Sequence, residues 1–498
     1  MNRKGLNRRG FLRLCGVTAA GLAYPAAAAE KSSRPNFLFL FTDDQTFRSI
    51  NALNNPEVKT PNLDRLMKGG TTFTHAFNQG SWSPAVCICS RAMLNSGLHL
   101  YHAQRDLEKV PLWGQTFGAA GYNTWVTGKW HNGPRTLAKS FRGGESIAGG
   151  MYDAKGQYDR PKPGGVDWKP WDTDNGGHWR PNVADFDPTA ADPAKCLVNR
   201  HTVEQHTTDL YADNAVRFLK ESAAKSDDPF FMYVSFNAPH DPRQSPKEYV
   251  DMYPPEKIKL PPNYLPEHPF DQGERYTLRD ERLGPFPRTP EAAKTHIAEY
   301  YAIITHADAA IGRILDALEA TGKSANTYVI FASDHGLAVG QHGLMGKQNQ
   351  YDHSIRLPLI VRGPGVSKGR RIDAMVYLHC LFPTTCDLAG IPIPESVQAE
   401  SLARLLAGEN TRPYDAVFGS YRDFQRMIRT EDYKLIVYPQ ARQVQLFDVK
   451  NDPWEMHNLA EDAGHAGVLS RLMSALTDLQ KEVGDTLKLK TPSSTGDV

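Results

Sequence analysis

The sequence predicts an α/β fold: a large, mostly parallel sheet sandwiched by helices, with a smaller C-terminal subdomain of antiparallel sheet plus helix. Three observations lead there. Short apolar runs recur along residues 36–363, and most of them end in Asp, Lys or His. Helical patterns separate these runs, the alternation expected of parallel strands joined by crossover helices. After about residue 395 the pattern changes to short strands at turn spacing, followed by one last helix.

The elements follow in order. NFLFLFT (36–42) is apolar nearly throughout, as a strand buried on both faces should be, and Asp43-Asp44 follow directly. Thr60-Pro61 is a helix-start signal for PNLDRLMK, which stops at Gly69-Gly70. YNTWVTGKW (122–130) leads to Lys129 and His131. PFFMYVSFN (229–237) leads to Pro239-His240, and TYVIFAS (327–333) leads to Asp334-His335-Gly336. RLPLIVRG (356–363) is a fifth strand, and a long helical pattern covers about Ala292 to Ala320. Residues 132–200 and 241–290 are rich in Gly, Pro and charge and read as irregular walls of a substrate cleft. Strands are expected at AVFGSY, RMIRT, YKLIVYP and QLFDV, then a helix over about 464–482 and a frayed tail. In such sheets the site lies beyond the carboxyl ends of the strands, where the Asp, Lys and His residues collect.

Composition narrows the function. The chain has 498 residues, and Lys plus Arg minus Asp plus Glu is 57 − 56 = +1. No global basic field recruits nucleic acid or anionic lipid, so any anion site is local. Six cysteines in this length exclude a disulfide scaffold, and Cys380 and Cys386 read as buried structural thiols. Residues 7–13, NRRGFLR, precede a weakly apolar Gly/Ala stretch and Ala27-Ala28-Ala29. This reads as a twin-arginine signal for export of a folded protein, spanning residues 1–29, with the mature chain starting near Glu30. A periplasmic or secreted location through the twin-arginine machinery follows. No stretch is long and apolar enough for a stable membrane span. The expected divisions are 30–395 (catalytic), 396–485 (C-terminal subdomain) and 486–498 (flexible tail).

The chemistry sits in a set of separated motifs. Asp43, Asp44, Asp334 and His335 suit a hard divalent cation, Ca²⁺ first and Mg²⁺ second. Arg91, Lys129, His131, His240 and Lys347 supply positive charge and donors, as transfer of a tetrahedral anion requires. Residues 84–97, PAVCICSRAMLNSG, place Cys87 and Arg91 four apart ahead of a helical pattern, which puts Cys87 at a helix N-terminus. With FTDDQ, GKWH (128–131), APH (238–240), SDHG (333–336), GxHG (340–343), Lys347 and the late LFDVKNDPWEMHNLA, the chain resembles the formylglycine-dependent sulfatases of the alkaline-phosphatase superfamily over about residues 34–480.

The resemblance implies an alkaline-phosphatase-like sheet and hydrolysis of a sulfate ester. It implies that a formylglycine-generating or equivalent maturation enzyme converts Cys87 to formylglycine. The hydrated aldehyde then attacks sulfur and later expels sulfate. Asp43, Asp44, Asp334, His335 and the residue at 87 would hold the metal, and Asp334 would help activate the attacking oxygen. Arg91 would steady the nucleophile, Lys129 and His131 would assist elimination, and His240 and Lys347 would bind sulfate and help protonate the leaving oxygen. The chain departs from the family pattern Cys-x-Pro/Ala-x-Arg by carrying Cys89 in the middle position, and it has Leu98 where an Arg often stands. Export and the long loops favour a sulfated carbohydrate. Arg243, His201 and His99 are the expected rim contacts, and Trp168, Trp171 and Trp179 are candidates to stack on sugar rings. The competing readings are a phosphoester or phosphonate hydrolase of the same superfamily, and a non-catalytic sulfated-glycan-binding protein if Cys87 stays a thiol.

Overall fold

Strand β1 (Asn36–Thr42) is buried at all seven positions, and its side chains alternate between two cores. Phe37, Phe39 and Phe41 pack with Trp113, Phe117 and Tyr233 on one face of the sheet. Leu38 and Leu40 pack with Leu210, Ile311, Ile314 and Leu315 on the other. A strand with apolar side chains on both faces needs a helical layer on each side, and the computed structural model supplies them. It describes residues 34–489 except 151 and 159–167. The expected export segment 1–29 and residues 490–498 of the expected tail lie outside the described residues.

The strands after β1 are β2 (Thr71–Phe77), β3 (Gly80–Ser81), β4 (Asn123–Lys129), β5 (Gly143–Ala148), β6 (Asn182–Phe186), β7 (Leu197–Thr202) and β8 (Phe230–Ser235). Then come β9 (Thr327–Ser333), β10 (Arg356–Arg362), β11 (Arg370–Tyr377), β12 (Ala416–Tyr421), β13 (Gln425–Thr430), β14 (Tyr433–Tyr438) and β15 (Gln443–Asp448). Ten of them form one sheet in the order β11-β2-β10-β9-β1-β8-β4-β5-β6-β7. Its centre, β9-β1-β8-β4-β5, is parallel. β10 runs antiparallel to both its neighbours. The helices Thr207–Glu221 and Pro290–Ala320 cover the Leu38 face, and Trp113–Ala119 and Leu381–Ala389 cover the Phe37 face. Cys380 and Cys386 are free and buried, as expected.

The second sheet has the order β15-β14-β13-β12-β3, antiparallel except where β3 joins β12 in parallel. The helix Ala466–Glu482 packs on it through Leu472 and Leu476. Residues 80–81 therefore extend a sheet whose other strands begin at residue 416.

Two local readings need correction. The stretch 132–200 contains β5, β6 and most of β7, which prolong the main sheet on one side. Their sequences, GGESIA, NVADF and LVNRHT, lack an apolar run because they are partly exposed. The helix Pro61–Gly69 starts where expected, but the Thr60 hydroxyl does not cap it. Asp308 of the long helix accepts the N–H groups of Asn62 and Leu63 at 3.0 and 2.8 Å, so the cap comes from a tertiary partner. Among the described residues no helix is long and apolar enough to cross a membrane.

Candidate active site

The parallel strands β1, β9, β8 and β4 end side by side. β1 delivers Asp43 and Asp44, β9 delivers Asp334 and His335, β8 delivers Ser235, and β4 delivers Lys129. Gly128 adopts φ +90°, and a Cβ there would lie 1.9 Å from the Ser235 carbonyl oxygen, so only glycine lets β4 approach β8 at this point. The helix Val86–Ser96 begins over these strand ends. Cys87 lies in its first turn, and Arg91 follows one turn later on the same face. Lys347 comes from the loop after β9.

Arg91 is fully buried and organises the cluster. Its Nη2 donates to Asp43 at 2.7 Å and its Nε to Asp334 at 2.9 Å. Its Nη1 donates to the Lys129 carbonyl and to Ser235 Oγ at 2.7 and 2.8 Å. Lys129 Nζ lies 2.6 Å from Asp43, and Lys347 Nζ lies 2.5 Å from Asp44 and 3.3 Å from Cys87 Sγ. Cys87 Sγ is 3.4 Å from Asp43 and 3.8 Å from Asp44. His240 turns Nε2 toward Asp44 at 3.5 Å, while its Nδ1 donates to the Asp241 carbonyl at 2.7 Å.

Electrostatics distinguishes these groups. Burial opposes ionisation of Asp43, but Lys129 and Arg91 outweigh it and hold the carboxyl well below the usual range. Burial pushes Asp44 well above that range despite Lys347, and Asp43 and Asp334 add to the rise. Burial and the charge on Asp43 push Asp334 up to about 6. Burial and the neighbouring carboxylates also push the Cys87 thiol well above its ordinary value. With no cation beside it, an unmodified Cys87 is thus a neutral thiol. Burial lowers His131 to about 2 and His240 to about 3, so both rings are neutral near pH 7.

The residues fit a divalent cation. One donor atom each from Asp43, Asp44, Cys87 and His240 lies within 4.8 Å of the others. Asp334 abuts this group through its Oδ1, which accepts the Asp44 N–H at 3.1 Å. His335 is buried beside it, with Nδ1 donating to the Gly336 carbonyl at 2.8 Å and Nε2 without a hydrogen-bond partner. Oxygen-rich donors with one orphaned ring nitrogen suit Ca²⁺ or Mg²⁺.

Above the cluster opens a cleft of about 470 Å³, lined by Cys87, His131, His240 and Lys347. Glu274, Thr277, Arg279, Asp280 and Gln348 form its wall. These wall residues carry no motif; the Pro- and charge-rich composition of 241–290 hinted at the part formed by residues 274–280, and nothing marked Gln348. The expected rim residues lie elsewhere. Arg243 is buried against His296, with its Nη1 2.7 Å from His296 Nδ1. His99 is buried and bonded to Gln79. His201 is exposed on the β7 edge, with Nδ1 donating to the Asn199 carbonyl. None of Trp168, Trp171 and Trp179 lines the cleft. Cys89 faces away from Cys87, into the packing with Phe418, Ile428 and Leu446, and receives the Ser81 hydroxyl at 3.0 Å.

Comparisons with known proteins point to one family. A family model described as Sulfatase matches residues 35–391, and one described as N-sulphoglucosamine sulphohydrolase, C-terminal, matches residues 340–482. An arylsulfatase of Clostridium perfringens is 30% identical, over 86% of this chain and 90% of the relative. An N-acetylglucosamine-6-O-sulfatase of Bacteroides thetaiotaomicron is 25% identical, over 95% and 91%. A solved structure with D-glucosamine-2-N,6-O-disulfate bound as its substrate superposes with a TM-score of 0.71, at 23% identity, over 91% of this chain and 99% of that one. A phosphonate monoester hydrolase from Silicibacter pomeroyi shares the fold at a TM-score of 0.69 and 23% identity, over 91% and 96%. The chain therefore belongs to the type I sulfatase family of the alkaline-phosphatase superfamily and is a sulfuric ester hydrolase.

Proposed function

We propose that this enzyme removes sulfate from a sulfated carbohydrate after export to the periplasm or cell exterior, using formylglycine made from Cys87 and a bound Ca²⁺, with Mg²⁺ as the alternative ion. The observation that carries the reading is the position of Cys87: at a helix N-terminus, on the cleft floor, between Lys347 and the two adjacent aspartates. Bound at the Asp43, Asp44, Asp334 and His335 donors, the cation would supply Lewis-acid stabilisation of the sulfate oxygens. Conversion of Cys87 would supply the oxygen nucleophile.

The chain's own residues do the rest. Arg91 fixes Asp43 and Asp334 in one geometry. Lys347 and Lys129 place positive charge where the sulfate oxygens gather charge in the transition state. The His240 Nδ1–H is pinned to the Asp241 carbonyl, which leaves Nε2 free to take a proton as an anionic sulfate arrives and to pass it to the leaving oxygen. His131, neutral and on the cleft floor, is the acceptor for the proton lost on elimination. The wall residues Glu274, Thr277 and Arg279 offer hydrogen-bonding partners to a polyhydroxylated leaving group. The sulfatase relatives acting on named sugars support a carbohydrate substrate. The Arg8-Arg9 signal over residues 1–29 supports export, with residues 30–395 as the catalytic part and 396–485 as its C-terminal subdomain.

Two measurements test the reading. Peptide mass spectrometry of protein made with its maturation machinery should find formylglycine or its hydrate at position 87. Sulfate release from a panel of sulfated glycans should then exceed phosphate or phosphonate release from matched esters, and should fall on EGTA treatment and return with Ca²⁺. An unmodified Cys87 with binding but no turnover would instead support a glycan-binding protein. Faster phosphonate cleavage would support the alternative hydrolase.

A further inference from the structure

A second cluster of ligand-type side chains lies where the helices Thr207–Glu221 and Pro290–Ala320 pack together. It holds His206, Asp209 and His306, with one donor atom of each within 4.8 Å of the others. It borders a surface cleft of about 530 Å³ that shares no lining residue with the Cys87 cleft. The sulfatase chemistry makes no use of it.

The hydrogen bonds around the cluster match those that orient metal ligands. His206 donates its Nε2–H to the Gln244 carbonyl at 3.0 Å, which leaves Nδ1 as the basic nitrogen; its one contact there is the Thr208 N–H at 3.2 Å. A ligating imidazole commonly has this arrangement, with the far N–H fixed by a backbone carbonyl. Asp209 is held by Arg313 through Oδ1 at 2.9 Å, while its Oδ2 faces His306 Nε2 at 3.0 Å. His306 is 2% exposed, and its other nitrogen, Nδ1, has no hydrogen-bond partner. The ring can therefore carry its proton on Nδ1 and leave Nε2 as the ligating nitrogen beside Asp209. The two imidazoles are already in contact, with ring centroids 4.6 Å apart. The cleft carries three carboxylates, Glu204, Asp209 and Asp213, against two guanidiniums, Arg180 and Arg313, a balance that favours a cation.

We propose that His206, Asp209 and His306 form a second metal site, selective for borderline divalent ions of the Zn²⁺ class. Two imidazole nitrogens and one carboxylate oxygen favour Zn²⁺, Co²⁺, Ni²⁺ or Cu²⁺ over the oxygen-seeking Ca²⁺. The proton between His306 Nε2 and Asp209 stands where the ion would sit; on binding it moves to Nδ1 of the same ring, which leaves the Nε2 lone pair to the ion and the imidazole neutral. The site is tied to the catalytic loop. His178 stacks on His206 with centroids 5.2 Å apart and donates Nε2–H to the His240 carbonyl at 3.0 Å, while His206 itself holds the Gln244 carbonyl. An ion here would brace the loop 240–244 from behind.

The test is a Zn²⁺ titration by calorimetry, with excess Ca²⁺ present, on the full-length protein, the variants His306→Ala and Asp209→Asn, and an Asp44→Asn control. Co²⁺ absorption serves as a second readout of nitrogen ligation, and near-UV dichroism shows which variants fold. The expected result is one equivalent of Zn²⁺ bound by the wild type and by Asp44→Asn, with affinity falling about 100-fold or more in either cluster variant, beyond the loss typical of an outer-shell partner. Should His306→Ala not fold, Asp209→Asn, which keeps the volume and most polar contacts, decides alone. No Zn²⁺ uptake by the wild type, or uptake unchanged in Asp209→Asn, overturns the proposal and leaves the cluster as an ion-pair clamp between two helices. Uptake lost only in Asp44→Asn would assign the ion to the catalytic centre and overturn it equally.

Discussion

Single residues on the cleft floor carry separable roles. Lys347 reaches both Asp44 and Cys87 and lines the cleft. Lys347→Ala should lower kcat by about 10²–10³, the loss typical of one preorganised transition-state donor, with a smaller change in KM; steady-state sulfate release measures both. Gly128→Ala should act on stability instead. Its Cβ would collide with the Ser235 carbonyl oxygen, and the positive φ alone costs about 1–3 kcal/mol. The urea midpoint should fall accordingly, and an unchanged midpoint would refute the close approach. Legibility at this scale depended on strand ends. Asp43, Asp334 and Lys129 could be located because each ends an apolar run, and Arg91 because it stands one helical turn from Cys87. Arg279 and Gln348 could not, because a cleft wall made of irregular loop has no period to read. His99, His201 and Arg243 do not line the cleft, because sequence gives a side chain's charge but not the direction in which its strand, helix end or loop points it.

At the scale of elements, the helix Val86–Ser96 is the hinge between the two sheets. Leu94 packs in the main core, Cys89, Ala92 and Met93 pack against the second sheet, and Cys87 and Arg91 face the site. A chain ending at residue 395 should lose the cover over Cys89, Ala92 and Met93. It should show no cooperative thermal transition and should bind a hydrophobic dye, whereas an independent catalytic domain would melt sharply. The buried parallel strands were legible because both faces are apolar. β2, TTFTHAF, was not: the hydroxyls of Thr71 and Thr74 donate to the Ser367 and Ile372 carbonyls, so polar residues stand where an apolar run would otherwise mark a buried strand. β3 has two residues and owes its existence entirely to β12.

Across the whole molecule, buried neutral histidines set the response to acid. Burial lowers His99 and His268 to about 4 and His75 and His342 to about 3. In the unfolded chain each titrates near 6.5. Between those values the unfolded state binds more protons than the folded one, so stability rises with pH and is lost as pH falls below about 6.5. Each group contributes up to about 1.4 kcal/mol per pH unit in that window. Denaturation midpoints should hold steady above pH 7 and drop steeply from 6.5 toward 4; a flat profile would mean that these rings are solvated.

The parallel pairing of β3 with β12 also has a consequence in time. Gly80 and Ser81 pair with Ser420 and Tyr421, 420 − 80 = 340 residues later in the chain. At about 5–20 residues per second, a ribosome takes roughly 20–70 s to make that stretch. Until then the segment leading into Cys87 has no strand to join, and the Cys89 side of its helix has no sheet to cover it. Any enzyme that must seize residue 87 in an extended chain has that interval in which to act, and the last sixth of the protein ends it.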